Sequence, residues 1–562
     1  MKKNRSIILL LIFAILPLFS LFHSGMFVGH DTQLHVARIA HFYKSLNEGI
    51  LIPRWGGDLN LGYGHPAFIF YYSLTSYVAS AFHFLGFSLV FSTKLVYGLG
   101  FMGSGLAMYL WVRQLFRGKE GLPADEAGLI SGLLYMYAPY RFVDLYIRGA
   151  IGENFFFIWP PLVLYFLTKL QRGYKFKHVL GASLSLTALI LSHNASSLMF
   201  LPFIGLYGLL LVQKAKNKIM FIAHQLLVAG LGFGVSAFFW IPALFESKYT
   251  LQNVIMGDGI FKHFEPFSRL LYSPWNLGGT GQFSIQVGII QWLVMLLVTF
   301  MLLKRFRGLS STKGPVNDKL LVILSYITFW VAILMILPAS KPVYEIITIF
   351  KKFQFPWRWL SLAIFPAALL SGYLVRILPK KYSLFIIYCL LFTVPLLTVN
   401  MWKVRDYDYS PDSFYLDEYK GTTDSSGENS PVWSIRFMEQ TPKANIEVVE
   451  GEGEVQDKKH SSILHEYEVT AVDDKVRVLD NTLYFPGWSV YVDGSKLFLH
   501  DVWWQDPNYR GLITFFVQKG QHEIIVKFER TKIRLLAEII SLVSIGLLVS
   551  LPMFYKVLWS KK

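Results

Sequence analysis

The chain has 562 residues, of which 53% are hydrophobic and 16% charged, with a formal net charge of +16. This composition is too apolar for a soluble globular protein, and repeated apolar runs of roughly 18 to 22 residues are long enough to cross a bilayer. Residues 401–533 hold 15 Lys and Arg against 23 Asp and Glu while the rest holds 38 against 14, so the basic excess belongs to the membrane part and excludes a nucleic-acid partner.

Basic clusters lie between the apolar runs, and the positive-inside rule places them in the cytoplasm. Because each span takes the chain to the opposite side of the membrane, these clusters predict about twelve transmembrane helices in a bacterial plasma membrane, with both termini cytoplasmic. The predicted spans are 7–28, 92–112, 127–140, 154–170, 179–193, 197–213, 219–243, 285–303, 320–338, 359–376, 383–399 and 535–556. One further apolar run, 65–88, is not among these spans. If it crossed the membrane, every later loop would change sides and most of the basic clusters would lie outside. We expect a helix in the outer interface, with a true span as the alternative.

The first outer loop carries Asp31, His35 and Arg38 at helical spacing. On a helix these side chains share one face and are suited to bind a sugar hydroxyl, a phosphate or a metal ion. A local ion-pair network is the alternative. Asp31 and His35 are weak candidates for a divalent cation, because two ligands without a third do not define a metal site.

Further charged residues fall on the same predicted face. Asp144, Arg148 and Glu153 lie in "YRFVDLYIRGAIGEN", Arg54 lies in the first loop, and Arg358 lies in "KKFQFPWRWL". Charges at the membrane edge either pair with one another or position an anionic lipid head group. The planar guanidinium of Arg358 is suited to clamp a lipid phosphate.

Residues 400–533 change character. Strand-like alternation of apolar and polar residues, with turn signals at Asp493-Gly494 and Lys519-Gly520, predicts a small extracytoplasmic antiparallel β domain. Its aromatic residues are suited either to core packing or to stacking on sugar rings. The predicted organisation is a transmembrane domain over 1–399, the β-rich domain over 400–533, and a final helix with a cytoplasmic tail over 534–562. The fold class is therefore a mainly α polytopic membrane protein with a small β domain.

Several motifs carry a family resemblance. "GHDTQLHVARI", "RWGGDLNLGYGHPAFIFYY", "YIRGAIGEN", "LSHN" and "FQFPWRW" resemble bacterial membrane proteins labelled as 6-pyruvoyl-tetrahydropterin synthase-related, and "YFPGWSVYVDG" is similar to the C-terminal region of YfhO-like membrane proteins. A first span followed by an acidic residue, "IPRW" and a Pro-led aromatic stretch resembles the GT-C superfamily of polyprenyl-phosphate-dependent membrane glycosyltransferases. The pterin label is not taken as an activity, because such synthases use a catalytic cysteine, whereas Cys389 lies in a predicted span.

The GT-C resemblance implies sugar transfer from a polyprenyl-phosphate-linked donor to an envelope glycan or lipid acceptor, among membrane lipids. Asp31 matches the first-loop carboxylate that orients or deprotonates the acceptor hydroxyl. Asp144 or Glu153 is the candidate for a second catalytic acid. The candidates for substrate binding are His35, Arg38, Arg54, Arg148 and Arg358.

Two other functions stay open. About twelve spans also suit a lipid or glycolipid transporter or flippase, although no six-plus-six repeat is evident. A non-catalytic envelope protein, with the β domain binding glycan, is the third hypothesis.

Overall fold

A computed structural model describes residues 3–118, 124–279, 282–304 and 314–559, so the extreme termini and most of the basic cluster at 304–313 lie outside the described residues. Eight helices in these ranges are long and apolar enough to cross a membrane. They are Arg5–Phe22, Leu89–Phe116, Ile151–Arg172, Asn194–Gln213, Lys218–Val235, Pro356–Ile377, Lys380–Trp402 and Lys532–Met553.

Four further predicted spans also coincide with apolar helices. Asp318–Leu334 continues into Pro338–Ile346 through a bend of 96°, and Phe176–Ser192 and Ile289–Leu303 are shorter apolar helices. Ala124–Met136 has 13 residues and is almost entirely buried. The mainly helical fold class is confirmed, whereas the count of twelve spans stays a prediction.

The helices pack around Pro356–Ile377, most of which is buried. The Phe365 ring of this helix stacks on Trp111, with 5.4 Å between ring centroids. Neighbouring helices meet through small residues, because a Cβ atom on Gly132 would lie 2.8 Å from the carbonyl oxygen of Gly105. Such close backbone approach is typical of helix packing in membranes, where lipid tails are as apolar as leucine.

The apolar run at 65–88 forms two short helices, Ala67–Phe70 and Leu74–Phe84. Neither is long enough to cross a bilayer. The break between them contains Tyr71 and Tyr72, both partly exposed. The interfacial position of this segment stays a prediction, and its break directs two tyrosines toward the cavity described below.

Eight strands form two sheets. Strands β1 (Met26–Phe27) and β2 (Tyr407–Asp408) pair antiparallel and join the first loop to the segment after Trp402. The larger, six-stranded sheet is antiparallel, with the order β3-β5-β8-β6-β7 and with β4 also paired to β5. Its strands are β3 (Ile446–Glu450), β4 (Gly453–His460), β5 (Leu464–Leu483), β6 (Trp488–Val492), β7 (Ser495–Lys496) and β8 (Leu512–Phe528).

One of the two predicted turns is correct. Asp493 and Gly494 have φ of 50° and 75° and connect β6 to β7. The predicted turn at Lys519-Gly520 is wrong, because both residues lie inside β8, where Gly520 pairs with Ala471 at a register shift. A bulge in a long strand and a hairpin turn share the same sequence signal, a glycine within an alternating run.

The sheet is held against the helices by buried charges near the start of Lys532–Trp559. Arg534 Nη2 lies 2.8 Å from Glu246 Oε2, and both side chains are 1% exposed. The same guanidinium donates to the carbonyl oxygen of Pro486, which lies between β5 and β6. These bonds fix the sheet at one end of the helical bundle, here named the sheet side.

Short helices fill the sheet side between the longer ones. They are Thr32–Asn47, Pro139–Phe142, Val143–Ile147, Ala237–Phe245, Ser247–Tyr249, Gln252–Ile255, Asp258–His263, Phe267–Leu271, Thr348–Phe353, Phe414–Glu418, Leu499–Asp501 and Pro507–Tyr509.

Candidate functional site

A cavity of about 1020 Å³ lies on the sheet side of the bundle. It is lined by residues from the first loop, from several helix ends and from the segment that precedes the large sheet. Five of the predicted site residues line it, namely Asp31, His35, Arg38, Arg148 and Arg358. The structure therefore brings these five residues, which are far apart in the sequence, to one cavity.

Asp31 precedes the helix Thr32–Asn47 at the N-cap position, but its side chain makes no capping hydrogen bond. Its backbone N–H donates to the carbonyl oxygen of Arg148 at 2.9 Å, which fixes its place beside that arginine. A carboxylate at a helix N-terminus is stabilised by the helix dipole. Asp31 is thus a partly exposed carboxylate, held by its backbone, that lines the cavity.

Arg38 and His35 form a buried pair on the same helix. Nη1 of Arg38 donates to Nδ1 of His35 at 3.0 Å, and its guanidinium lies 3.5 Å from the centroid of the Tyr71 ring. Arg38 also donates to the carbonyl oxygen of Thr423, a β-branched residue with φ of 63°. Burial, with the charge of Arg38, holds the pKa of His35 well below its ordinary value. His35 is therefore neutral and carries its proton on Nε2.

Arg148 is fixed by three acceptors. Its Nη1 lies 2.6 Å from both Asp144 Oδ1 and Glu153 Oε2, and 3.2 Å from the Tyr140 hydroxyl. Its guanidinium packs 4.6 Å from the centroid of a Trp357 ring. Three acceptors and an aromatic face orient the planar guanidinium toward the cavity.

The prediction that Asp144 or Glu153 is a catalytic acid is not supported by their positions. Both carboxyl groups are fully buried, contact Arg148 and do not line the cavity. Burial and the charge of Glu153 raise the pKa of Asp144, whose Oδ2 has no hydrogen-bond partner in the described part of the chain. Both residues therefore position Arg148.

Arg54 is also placed differently from its prediction. Its guanidinium donates to Glu538 Oε1 and to the carbonyl oxygen of Phe238, both at 3.0 Å. It is absent from the cavity lining among the described residues. Arg54 ties the first loop to the C-terminal helix, a contact across 484 positions in the sequence, so it is a structural residue rather than a phosphate ligand.

Arg358 and His193 also line the cavity. Nη1 of Arg358 donates to the carbonyl oxygen of Phe353 at 2.9 Å, and its buried Nε has no partner within the described chain. His193 accepts the backbone N–H of Ser196 on Nδ1, and burial lowers its pKa to about 3. A neutral His193 therefore has its Nε2–H free to donate to a ligand.

Sequence reasoning missed part of this lining. His193 in "LSHN" has a sequence signal, a histidine between two apolar runs, but it is not among the residues predicted to bind substrate. Glu265 and Arg269, paired at 2.7 Å, and the loop that carries Glu428 also line the cavity. Nothing in the local sequence distinguishes these residues from solvated loop residues.

One flank of the cavity is apolar. The helices Asn194–Gln213, Lys218–Val235 and Ala237–Phe245 contribute large apolar side chains to it, namely Leu198, Leu201, Phe233, Trp240 and Leu244. Leu198 and Leu244 are 44% and 51% exposed, so this flank continues onto the outside of the bundle. The cavity thus joins a charged region to an apolar surface, an arrangement suited to an amphiphile with an anionic head.

A metal site at Asp31 and His35 gains no support. In the described ranges, no group of three or more His, Cys, Asp and Glu side chains is arranged to hold a metal ion. Nδ1 of His35 already accepts a hydrogen bond from Arg38. We therefore derive no step through a metal ion.

The fold and this cavity define a polytopic, mainly helical membrane protein with an amphiphile-sized site beside its sheet domain. The chain belongs to the family of membrane proteins described as the 6-pyruvoyl-tetrahydropterin synthase related domain, whose profile matches residues 68–405. The predicted family is thereby confirmed. An uncharacterized protein of Lactococcus lactis subsp. cremoris (strain MG1363) is 26% identical over 258 residues, which span 45% of this chain and 41% of that relative.

Solved structures with some similarity include the arabinofuranosyltransferase AftD from Mycobacteria, with a TM-score of 0.45 and 14% identity over 71% of this chain and 27% of that chain. ArnT from Cupriavidus metallidurans bound to undecaprenyl phosphate gives a TM-score of 0.35 and 13% identity, over 74% of this chain and 68% of that chain. At these TM-scores the likeness does not define an activity, which has to be inferred from the site itself.

Proposed function

We propose that the protein is a membrane glycosyltransferase that moves a sugar from a polyprenyl-phosphate donor to a hydroxyl of an envelope glycan or glycolipid. The reaction takes place at the outer face of the bacterial plasma membrane, the face to which the basic clusters assign the first loop. The observation that carries the proposal is one cavity that contains the Asp31 carboxylate, four arginines and an apolar flank.

Tyr72 supports the convergence of these groups. It lines the same cavity as Asp31, Arg38, Arg148 and Arg358. An anionic phosphate beside the arginines and a hydroxyl beside the carboxylate would therefore be near each other. That proximity is what a transfer reaction requires.

The proposed step balances without a further reactant. Asp31 takes the proton of the acceptor hydroxyl as its oxygen bonds to the anomeric carbon of the donor sugar. The bond from that carbon to the phosphate oxygen breaks, with inversion, and the polyprenyl phosphate leaves. Arg148 and Arg358 face the charge that develops on the phosphate. The prenyl chain lies along the apolar flank and stays in the bilayer.

The activity itself is testable with purified protein in proteoliposomes. We expect labelled polyprenyl-phosphate sugars, tested as a panel of pentoses and hexoses with an envelope extract, to yield labelled glycan and an equal amount of polyprenyl phosphate. Protein-free liposomes are the control. Movement of intact donor across the bilayer without cleavage would instead establish a transporter, and glycan binding with neither result would establish a non-catalytic envelope protein.

A further inference from the structure

A loop over 421–430, "GTTDSSGENS", connects the last helix before the large sheet to that sheet and lines the cavity. Thr423, Ser425, Ser426, Glu428 and Asn429 are its lining residues. The loop forms a second wall of the cavity. It is separate in the sequence from the helix Thr32–Asn47 and from the helix ends that carry Arg148 and Arg358. No role in the proposed step has yet been given to it.

The loop is held in one conformation by bonds on both sides. The backbone N–H and side-chain amide of Asn429 donate to Asp424 Oδ2 at 3.0 and 3.1 Å. Leu61 of the first loop donates to the carbonyl oxygen of Lys420 at 2.7 Å, and Leu251 donates to that of Ser430 at 3.0 Å. A wall fixed in this way is preorganised to bind a ligand without a further ordering cost.

Its polar side chains are hydroxyl, amide and carboxyl groups, and the loop contains no Lys or Arg. Glu428, 6% exposed, accepts hydrogen bonds from the Tyr71 hydroxyl at 3.1 Å and from the Ser426 hydroxyl. Burial and the charge of Asp424 raise the pKa of Glu428. Within the described chain, no Lys or Arg forms an ion pair with Glu428, and the nearby guanidinium of Arg38 is already engaged by Thr423 and the Tyr71 ring.

The cavity therefore has two chemically different polar regions. Arg148 and Arg358 provide guanidinium groups suited to a phosphate, whereas the 421–430 loop provides carboxyl, amide and hydroxyl groups suited to an uncharged polyol. A buried site built to hydrogen-bond hydroxyls discriminates strongly against ligands that leave its groups unpaired.

We propose, on the basis of the proposed function, that the 421–430 loop is the acceptor subsite, that its ligand is an electrically neutral sugar, and that Glu428 is its specificity-determining residue. A phosphate-bearing polymer would place its negative charge against a loop that contains two carboxyl groups and no Lys or Arg. The Glu428 side chain contacts the acceptor and not the donor.

The experiment separates donor cleavage from acceptor binding in the full-length protein. Hydrolysis of the polyprenyl-phosphate sugar in the absence of acceptor reports on the donor site alone. Acceptor binding is measured by transfer to two acceptors of the same length, a neutral oligosaccharide and a glycerol-phosphate oligomer. Variants Glu428→Met, Glu428→Gln and Ser425→Trp are compared with Glu418→Met, which replaces an exposed glutamate of the same connecting segment.

We expect Glu428→Met to raise the acceptor KM about tenfold, which is the cost of one or two lost hydrogen bonds, with donor hydrolysis unchanged. Glu428→Gln, which keeps a hydrogen-bonding group of the same shape, should keep the acceptor KM within about threefold. Ser425 is exposed at the loop, so Ser425→Trp blocks acceptors without removing an internal bond. Glu418→Met should match the wild type.

Three results would overturn the inference. The first is an unchanged acceptor KM in both Glu428→Met and Ser425→Trp. The second is a rise in acceptor KM for Glu428→Gln as large as that for Glu428→Met. The third is a preference of the wild type for the glycerol-phosphate oligomer over the neutral oligosaccharide. Absence of donor cleavage in the wild type, with or without acceptor, would instead refute the proposed function on which this inference rests.

Discussion

Asp31→Asn is expected to lower sugar transfer by about 10²- to 10⁴-fold, the contribution typical of a general base, while the amount of folded protein stays the same. The asparagine keeps the shape of the side chain but cannot take the acceptor proton. Because the Asp31 side chain does not cap its own helix, its replacement removes no bond that holds the fold. The measurement is the rate of labelled product formation by equal amounts of purified protein.

A matched control is available in the same loop. Asp58 pairs with Lys44 and lies outside the cavity lining in the described chain, so Asp58→Asn should leave transfer within about twofold of wild type. Wild-type activity in Asp31→Asn, or an equal loss in both variants, would remove Asp31 from the mechanism.

Arg148→Met is expected to destabilise the protein by about 3–5 kcal/mol, because it leaves the buried Glu153 carboxylate without its cation. Methionine keeps an unbranched apolar side chain but carries no charge, and the variant also loses the contact of the guanidinium with the Trp357 ring. The measurement is thermal unfolding of the detergent-solubilised protein. Transfer should be lost as well, since Arg148 lines the cavity.

The two acids behind Arg148 provide the control pair. Burial and the charge of Glu153 raise the pKa of Asp144, and Asp144→Asn keeps a hydrogen-bonding group of the same shape, so this variant should cost less than about 1.5 kcal/mol. Glu153→Gln removes the charge that balances Arg148 and should cost several times as much, on the order of 3–5 kcal/mol. Equal destabilisation by the two variants would contradict this difference between the two acids.

Local patterns in the sequence predicted much of the helical part. Apolar runs located the eight membrane-length helices of the described ranges. The spacing of Asp31, His35 and Arg38 predicted that they share one face, and all three line the cavity. These predictions depend on periodicity and charge, which act over a few turns of chain. The family was likewise recognisable from short motifs distributed along the sequence.

The depth at which a side chain lies, and its contacts with distant parts of the chain, were not predictable from these local patterns. Spacing placed Asp144, Arg148 and Glu153 at one membrane edge, but could not indicate that only the arginine lines the cavity. The partner of Arg54 is Glu538, at the far end of the chain, and its pairing depends on how the C-terminal helix docks. The 421–430 loop has the composition of an ordinary linker, and its place in the cavity wall comes from tertiary contacts alone.

A structure of the protein with polyprenyl phosphate bound would test most directly whether this cavity is the donor site. We predict that the phosphate lies within hydrogen-bonding distance of Arg148 or Arg358, in the cavity that contains Asp31, with the prenyl chain along Leu198 and Trp240. A lipid phosphate bound outside this cavity, with Asp31 facing no ligand, would contradict the account.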